Sequence, residues 1–505
     1  MTKAAPLQKL KTGIPGLDAI SMGGAPKNRT TLVAGSAGSG KTILVAQFLA
    51  EGIRQFDQSG VFVTFEEPPE AIRQNMISMG WDLEKWEQED KLAFVDASAQ
   101  VGEEATLIMG NFDMAALLAR IEQAVRKTKA SRVCLDSLGA VFTRFGDSST
   151  VRNELFRITS ILRDLEVTAL MTAERTEEYG IISRQGVEEF VTDNVIILRN
   201  VLEEEKRRRT MEILKFRGAT HQKGEFPFTI LQGRGCVVIP LSEIDLEYES
   251  TDLRITSGSP ELDTMCGGGF FRDSIVLVSG ATGTGKTLMV TEFIAGGVRN
   301  QERCLLFAFE ESREQFYRNA SGWGVDLRPM EKAGFLKVVC EYPEVSSLED
   351  KLLQMQRTLD EFQPHRVAID SLSALERVST QKSFREFVLG ITSYLKQLST
   401  AGLFTSTAPT LLGGESVTEA HISTLTDSII LLRYVEIYGE MRRGLTLLKM
   451  RGSQHDKNIR EFNIDEQGMH IGKPFRNIGG ILAGNPTQLE SAELNRLEEM
   501  FKGQD

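Results

Sequence analysis

Short apolar runs rich in β-branched residues alternate with helically periodic segments, and this alternation occurs twice along the chain. In the first half, the run Thr30 to Ala34 precedes a helical pattern from Lys41 to Phe56, and a second run covers Val61 to Phe65. Further along are a predicted helix near Pro69 to Met79, a helix over Met114 to Lys127 and a buried strand over Arg132 to Leu138. Strands separated by helices are typical of a parallel sheet covered on both faces. The predicted fold class is therefore α/β.

Each half closes with two β-rich runs on either side of a polar turn. These runs are Asn194 to Leu202 with Thr210 to Arg217, and Ser428 to Ile437 with Gly444 to Arg451. Two adjacent β-rich runs joined by a polar turn predict an antiparallel hairpin. We therefore expect each mostly parallel sheet to carry a C-terminal antiparallel hairpin.

The two halves are an internal duplication. Gly13, Asp18 and Lys41 correspond to Gly258, Asp263 and Lys286 at one constant spacing, and Asp136, Lys215 and Arg217 correspond to Asp370, Lys449 and Arg451 at a shorter one. The first copy therefore has extra residues, which we assign to a loop from Val101 to Met114. An acidic stretch from Leu241 to Leu253 separates the copies. We place the boundary near Glu247, which gives domains at 1–247 and 248–487 and a tail at 488–505.

Charge and cysteine usage narrow the class of protein. The 505 residues include 58 Lys and Arg against 70 Asp and Glu, and the net charge of −12 disfavours non-specific binding to nucleic acid or anionic lipid. The five scattered cysteines are expected to be buried, reduced thiols. The N-terminus lacks a signal-peptide pattern, and no apolar run approaches the ~18 residues of a membrane span. We predict a soluble, cytoplasmic protein with no membrane partner. The net charge disfavours nucleic acid as a partner, although it is compatible with a local basic groove.

Two glycine-rich segments match the nucleotide-binding pattern G-x-x-x-x-G-K-[ST]. Each follows an apolar run, Thr30 to Ala34 or Ser274 to Ser279, and opens a helical pattern, as the motif requires. In such a loop the backbone N–H groups surround a β-phosphate, the lysine reaches the β- and γ-phosphates, and the threonine joins the Mg²⁺ shell. One copy alone could be an ordinary glycine-rich turn, but two equivalent copies favour two ATP sites. The predicted ATP-binding residues are Gly35, Gly38, Gly40, Lys41, Thr42, Gly280, Gly283, Gly285, Lys286 and Thr287.

Acidic residues follow the apolar runs in both halves. Asp136 and Asp370 each end a predicted strand, where an aspartate can complete the Mg²⁺ shell with Thr42 and Thr287. A strand-terminating turn is the alternative. The vicinal pairs are Glu66 with Glu67 and Glu310 with Glu311. One carboxylate of each pair is a candidate catalytic base, although acidic residues before a helix N-terminus are also favourable electrostatically. The sequence leaves open which glutamate of each pair acts.

Basic residues end each predicted hairpin. Lys215 and Arg217 in the first half, and Lys449 and Arg451 in the second, are two residues apart and project to one face of an extended strand. We predict that they bind ATP, and that a hairpin at a sheet edge reaches the nucleotide of a neighbouring subunit in a ring. A basic surface strand is the alternative. The run Lys206 to Arg209 is interpreted as a solvated turn or a subunit contact.

The copies differ at one chemically important place. Glu189 and Phe190 of the first half correspond to Ser423 and Thr424 of the second. A glutamate base near ATP could activate such a hydroxyl for phosphoryl transfer in place of water. Local turn chemistry is the alternative for a Ser/Thr cluster.

Taken together, these motifs resemble the KaiC family of circadian-clock ATPases and autokinases. The resemblance rests on Gly35 to Thr42, Phe65 to Glu67, Glu177 to Gly180, Lys215 to Gly218, Gly280 to Thr287, His421 to Thr424 and Lys449 to Gly452. It implies RecA-like domains stacked as a double-ring homohexamer, with ATP and Mg²⁺ between subunits. It further implies slow hydrolysis by the N-terminal ring and autophosphorylation and dephosphorylation of Ser423 and Thr424 by the C-terminal ring. Thr418 matches a further threonine of the family pattern.

The tail departs from that family pattern. Phe475 to Gly480 lacks the charged pair that clock members have in this loop, and Leu489 to Lys502 is an acidic helical pattern without a family counterpart. Dependence on KaiA, which engages this region, is therefore left open, whereas a KaiB-like partner for the N-terminal ring is expected. The rival interpretation is a RecA- or DnaB-like DNA-dependent ATPase, a recombinase or helicase. The acidic net charge and the lack of a basic, aromatic-bearing loop weigh against it.

Overall fold

The computed structural model describes residues 7–98, 114–142, 148–183, 186, 188–203, 206–240, 250–408, 422–476, 478–481 and 487–488. The chain divides into two compact units, residues 1–243 and 244–505. The boundary predicted near Glu247, the loop residues 101–113 and the tail residues 489–505 lie outside the described residues. Within the part that is described, no helix combines the length and apolar character needed to cross a membrane.

The first unit alternates strands and helices as predicted. Its strands are β1 Lys9–Leu10, β2 Ala25–Pro26, β3 Thr30–Gly35, β4 Gly60–Thr64, β5 Leu92–Asp96, β6 Arg132–Asp136, β7 Thr168–Glu174, β8 Asn194–Glu203, β9 Lys206–Phe216, β10 Glu225–Leu231 and β11 Gly235–Val238. Its helices are α1 Leu17–Ile20, α2 Lys41–Phe56, α3 Pro69–Ile77, α4 Leu83–Gln88, α5 Met114–Thr128, α6 Leu138–Phe142, α7 Ser148–Asp164 and α8 Glu188–Val191.

The second unit repeats this order of elements. Its strands are β12 Arg254–Ile255, β13 Phe270–Phe271, β14 Ile275–Gly280, β15 Cys304–Ala308, β16 Leu336–Cys340, β17 Arg366–Asp370, β18 Ala401–Thr407, β19 Ser428–Ile437, β20 Glu440–Met450, β21 Arg460–Asp465, β22 Gly468–Pro474, β23 Ile478–Gly479 and β24 Thr487–Gln488. Its helices are α9 Pro260–Met265, α10 Lys286–Arg299, α11 Arg313–Gly322, α12 Arg328–Lys332, α13 Leu348–Phe362, α14 Leu372–Arg377 and α15 Gln381–Gln397, with 3-10 turns at Pro343–Val345 and Ile422–Thr424.

Each unit is built on a nine-stranded sheet. The strand order is β11-β10-β9-β8-β3-β7-β6-β4-β5 in the first unit and β16-β15-β17-β18-β14-β19-β20-β21-β22 in the second. In the first sheet, neighbouring strands are parallel along the row β5-β4-β6-β7-β3-β8. Neighbouring strands are antiparallel along the row β8-β9-β10-β11. Two mostly parallel sheets with a C-terminal antiparallel hairpin confirm the predicted α/β class and the RecA-like arrangement that the resemblance implies.

Apolar side chains cover both faces of the first sheet. Along β4, Phe62 packs in a cluster with residues of α2, whereas Val61 and Val63 pack in a second cluster with residues of α5 and α7. This alternation follows from the two-residue period of a strand, which sends successive side chains to opposite faces. Four of the five free cysteines are buried, as expected for structural thiols.

The hairpin strands are longer than the sequence predicted. Residues Lys206 to Arg209 form the start of β9 and pair with β8, so the interpretation of this run as a solvated turn is wrong. The Arg208 side chain is 11% exposed and lies 4.0 Å from Glu203, and Arg207 donates to the backbone carbonyl of Asn200. The predicted sheet-edge position of the hairpin is also wrong, because β10 and β11 extend the sheet beyond it.

The two units differ in one buried polar contact between the helix after the P-loop and the last strand of the sheet. In the first unit, the Gln47 amide accepts from the Cys236 N–H at 2.7 Å and donates to the Cys236 carbonyl. In the second unit, Glu292 occupies this place and accepts from the Met469 N–H at 2.7 Å. Burial raises the pKa of Glu292 to about 7, so ionising it near neutral pH costs folding free energy.

Replacing Glu292 with Gln should stabilise the second unit above neutral pH. The folded-state pKa of Glu292 is raised above its unfolded value, so the wild-type protein loses stability as pH rises from about 4.5 to about 7. Glu292→Gln should remove this loss and add about 1–3 kcal/mol at pH 8, with little gain at pH 5. Calorimetric unfolding at both pH values measures the effect. Gln47→Glu is the matched control and should destabilise the first unit at pH 8. Equal shifts of Glu292→Gln at both pH values would contradict the assignment.

Candidate active site

Each P-loop joins a central strand to the helix that follows it. Gly38 and Gly40 have φ of 73° and 94°, and Gly283 and Gly285 have φ of 79° and 110°, a region that favours glycine. Helices α2 and α10 begin at the P-loop lysines. The positive φ values of these glycines explain why the motif needs them at these positions.

The P-loop lysines fold back onto their own loops. Lys41 donates to the carbonyls of Gly35 and Ser36 at 2.9 and 3.0 Å, and Lys286 donates to those of Gly280 and Ala281 at 2.8 and 2.9 Å. Burial lowers the pKa of both lysines, and the neighbouring carboxylates oppose that shift. Each ammonium group is thus held at the mouth of its loop.

The P-loop threonines and the strand-end aspartates meet as predicted. Thr42 donates to Asp136 Oδ2 at 2.6 Å, and Thr287 donates to Asp370 Oδ2 at 2.8 Å. Burial raises the pKa of Asp370, and the hydrogen bonds from Thr405 and Thr287 oppose this shift. A hydroxyl and a carboxylate are the hard oxygen donors that Mg²⁺ prefers, so these residues fit the predicted metal ligands.

The aspartates have a second partner that sequence reasoning missed. Thr172 on β7 donates to Asp136 Oδ1, and Thr405 on β18 donates to Asp370 Oδ1. These threonines lie on the strand between the P-loop strand and the aspartate strand. Each aspartate is therefore fixed from both sides, by the P-loop and by the neighbouring strand.

The two glutamates of each vicinal pair point to different partners. Glu66 accepts from Ser137 Oγ at 2.7 Å, whereas Glu67 accepts from Asn75 at 3.3 Å. Ser137 directly follows Asp136, so Glu66 lies on the side of the strand-end aspartate that contacts Thr42.

The second pair is arranged in the same way. Glu310 accepts from Ser371 Oγ at 2.9 Å, and Glu311 accepts from Asn319 at 3.1 Å. Glu310 also accepts from Arg377. The first half has Thr143 at the position corresponding to Arg377. A comparison of the two halves therefore could not reveal the contact between Arg377 and Glu310.

The hairpin cations contact backbone carbonyls of their own chain. Lys215 donates to the Glu189 and Thr192 carbonyls at 2.7 and 2.8 Å, and Arg217 donates to the Phe190 carbonyl at 3.0 Å. Partial burial lowers the pKa of Lys215. These two cations therefore hold the short helix α8 against the end of the hairpin.

The same cations hold the hydroxyl-bearing segment of the second unit. Lys449 donates to the Ser423 and Thr426 carbonyls at 3.0 and 2.6 Å, and Arg451 donates to the Thr424 carbonyl at 3.2 Å. Ser423 is half-buried and Thr424 is exposed. The segment is one 3-10 turn. Its side chains differ from those of α8, but a corresponding lysine and arginine bind its backbone carbonyls. Thr418 lies outside the described residues.

The edge of the first P-loop has further polar contacts that the sequence did not reveal. Ser36 donates to Glu178 Oε1 at 2.6 Å, and Glu178 Oε2 accepts from the Asn200 N–H at 3.0 Å. Arg209 approaches the Gly38 carbonyl at 3.4 Å. The segment Glu177 to Gly180, known at first only as part of a family motif, thus borders the P-loop.

Removing a P-loop hydroxyl should weaken Mg²⁺ binding in one unit only. Thr287→Val keeps the side-chain shape but removes a hard oxygen ligand and the contact with Asp370, so the Mg²⁺ needed for half-maximal nucleotide binding should rise about 10-fold. Mg²⁺ titrations with a fluorescent ATP analogue measure this. Thr42→Val should produce the corresponding change in the first unit. An unchanged Mg²⁺ requirement in both variants would exclude these threonines from the metal site.

Comparisons with known proteins agree with this geometry. The sequence profile of the family described as "ATPase: KaiC" matches residues 10–243 and 255–475. The chain is 67% identical over 495 residues to the circadian clock protein KaiC3 of Synechocystis sp., with 98% of each chain covered. It is 53% identical over 498 residues to the circadian clock oscillator protein KaiC of Picosynechococcus sp., covering 98% of this chain and 96% of that protein. KaiC 1 of Synechocystis sp. is 52% identical over 497 residues, covering 98% and 95%.

Proposed function

Because the chain belongs to the KaiC family of ATPases, we propose that it is a clock-type enzyme with two activities, ATP hydrolysis in the first unit and serine/threonine autophosphorylation in the second. One observation supports this division of labour. Ser423 and Thr424 occupy the anchored segment that carries Glu189 and Phe190 in the first unit. Only the second unit therefore offers protein hydroxyls at this position.

Each ATP site has residues for every part of phosphoryl transfer. Bound ATP would supply the γ-phosphoryl group, and Mg²⁺ held by the P-loop threonine and strand-end aspartate would neutralise its charge. Glu66 and Glu310 are the proposed bases, because each is hydrogen-bonded to the serine that follows the metal-binding aspartate. Glu67 and Glu311 are assigned to positioning the following helices through Asn75 and Asn319.

The relatives' names support a place in a circadian clock, and the proposed assembly follows from the family. We infer a homohexameric double ring in the cytoplasm, in which Lys215, Arg217, Lys449 and Arg451 also approach the nucleotide of the adjacent subunit. A KaiB-like protein is the proposed partner of the first ring. The family membership favours this function over a DNA-dependent recombinase or helicase.

Removing both acceptor hydroxyls should abolish self-labelling. In Ser423→Ala/Thr424→Ala, transfer of label from γ-labelled ATP to the protein should disappear, because the remaining first unit uses water. Phosphate release by the first unit should stay within about twofold, since both alanines leave the backbone anchors intact. Lys41→Ala and Lys286→Ala are the controls that assign each activity to its own unit. Labelling that persists in the double variant would refute the acceptor assignment.

Neutralising the proposed base of the first unit should slow hydrolysis. Glu66→Gln keeps the contact with Ser137 but cannot take a proton, so phosphate release by the first unit should fall by about 10²–10⁴-fold. Glu67→Gln is the matched control, because its side chain contacts Asn75, and it should retain most of the activity. Steady-state phosphate release measures both. Equal losses in the two variants would overturn the distinction between the paired glutamates.

A further inference from the structure

The two units also differ at a corner beside each P-loop. Glu174 ends β7 and pairs in register with Gly35, and Thr407 ends β18 and pairs in register with Gly280, so the two residues occupy equivalent places. Because both strands run parallel to the P-loop strand, both residues lie at the carboxyl edge of the sheet where the phosphates are expected. The corner comprises Gly139, Ala173 and Glu174 in the first unit, and Ser373, Ser406 and Thr407 in the second.

In the first unit the corner is open and acidic. The Glu174 side chain is exposed. A Cβ atom placed on Gly139 would lie 3.8 Å from Glu174 Cγ and 3.6 Å from Ser137 Oγ. Ser137 in turn donates to Glu66, the proposed base. Because Gly139 has no side chain, Glu174 and the Ser137–Glu66 pair border the same space.

In the second unit hydroxyl groups occupy the corner. Ser373 Oγ accepts from the Thr407 N–H at 2.8 Å and lies 3.4 Å from Ser406 Oγ. The strand ends in an uncharged residue, so none of the three corner residues, all of them in the described part of the chain, is acidic.

We propose that Glu174 is a specificity-determining residue that commits the first site to water. Water has two O–H donors, whereas a serine or threonine side chain has one. A site with Glu66 on one side and Glu174 on the other offers an acceptor for each O–H of water. In the second site, Glu310 is the proposed base and the three corner residues carry hydroxyl groups. A single carboxylate is enough for an alcohol, because an alcohol has only one O–H proton to give up.

The step balances without a further reactant. The water oxygen forms a bond to the γ-phosphorus, and the bond between that phosphorus and the β–γ bridging oxygen breaks, with its electron pair leaving on ADP. One water proton goes to Glu66, and Glu174 accepts a hydrogen bond from the other O–H without taking the proton. The inference rests on the proposed assignment of hydrolysis to the first unit.

Glu174→Gln separates this role from a merely structural one. In the full chain carrying Glu310→Gln to silence the second site, the added change should slow phosphate release about 10-fold. It should leave the affinity for a non-hydrolysable ATP analogue unchanged or raise it a few-fold, because one negative charge near the triphosphate is removed. Glu166→Gln makes the same charge change before the opposite end of β7 and should alter neither quantity.

The outcomes are distinguishable. Unchanged phosphate release in Glu174→Gln, or a decrease that only follows weaker analogue binding, would overturn the proposal. If hydrolysis in the parent instead survives Lys41→Ala, the assignment of hydrolysis to the first unit fails, and that is a separate result.

The reciprocal change tests the same idea in the second unit. In the otherwise unaltered chain with Lys41→Ala, Thr407→Glu should lower label transfer to Ser423 and Thr424 several-fold and raise phosphate release. Unchanged partitioning between label transfer and phosphate release, with ATP analogue binding intact, would count against the proposal.

Discussion

The hydrogen bond between the P-loop threonine and the strand-end aspartate is the constraint on which both sites depend. It joins Thr42 to Asp136 and Thr287 to Asp370 across an intervening strand. Parallel strands bring their carboxyl ends to one edge of the sheet, so residues that are distant in sequence lie close together there. Short side chains such as threonine and aspartate are then long enough to make contact. The intervening strand adds Thr172 or Thr405, which fixes the remaining oxygen of each aspartate. The sheet itself therefore sets the geometry of the edge at which the P-loop and the aspartate meet.

Duplication makes the differences between the units easier to interpret than either unit alone. Both copies retain the lysine and arginine that bind backbone carbonyls, and both retain the hydrogen bond between the P-loop threonine and the strand-end aspartate. Three of the differences described above are a buried helix–strand contact at Gln47 or Glu292, the strand end at Glu174 or Thr407, and the anchored segment at Glu189 or Ser423. Of these, the strand end lies beside the P-loop strand, in register with Gly35 or Gly280.

The fold and the meeting of the P-loop threonine with the strand-end aspartate could be predicted because their signals are local. The P-loop and the alternation of strand and helix are contiguous in sequence, and the duplication supplied a second reading of each. Ser137 and Thr172 were missed because their importance depends on the order of strands in the sheet, which periodicity does not encode. The start of β9 was predicted as a turn because the run that contains Arg207 and Arg209 is highly charged. In the structure, the guanidinium groups of both residues contact backbone carbonyl oxygens. The partners of Lys215 were not predictable either, because every residue has a backbone carbonyl and the sequence does not show which ones are bound.

The hydrogen bonds of Lys449 and Arg451 to the segment that contains Ser423 and Thr424 have an evolutionary consequence. Both side chains recognise main-chain oxygens, which every amino acid possesses, and the homologous pair does the same around Glu189 and Phe190. Hydrogen bonds to the main chain do not depend on which side chains the segment carries. After gene duplication, one copy could therefore exchange a carboxylate and a ring for two alcohols by point mutation, without first redesigning the scaffold that presents them.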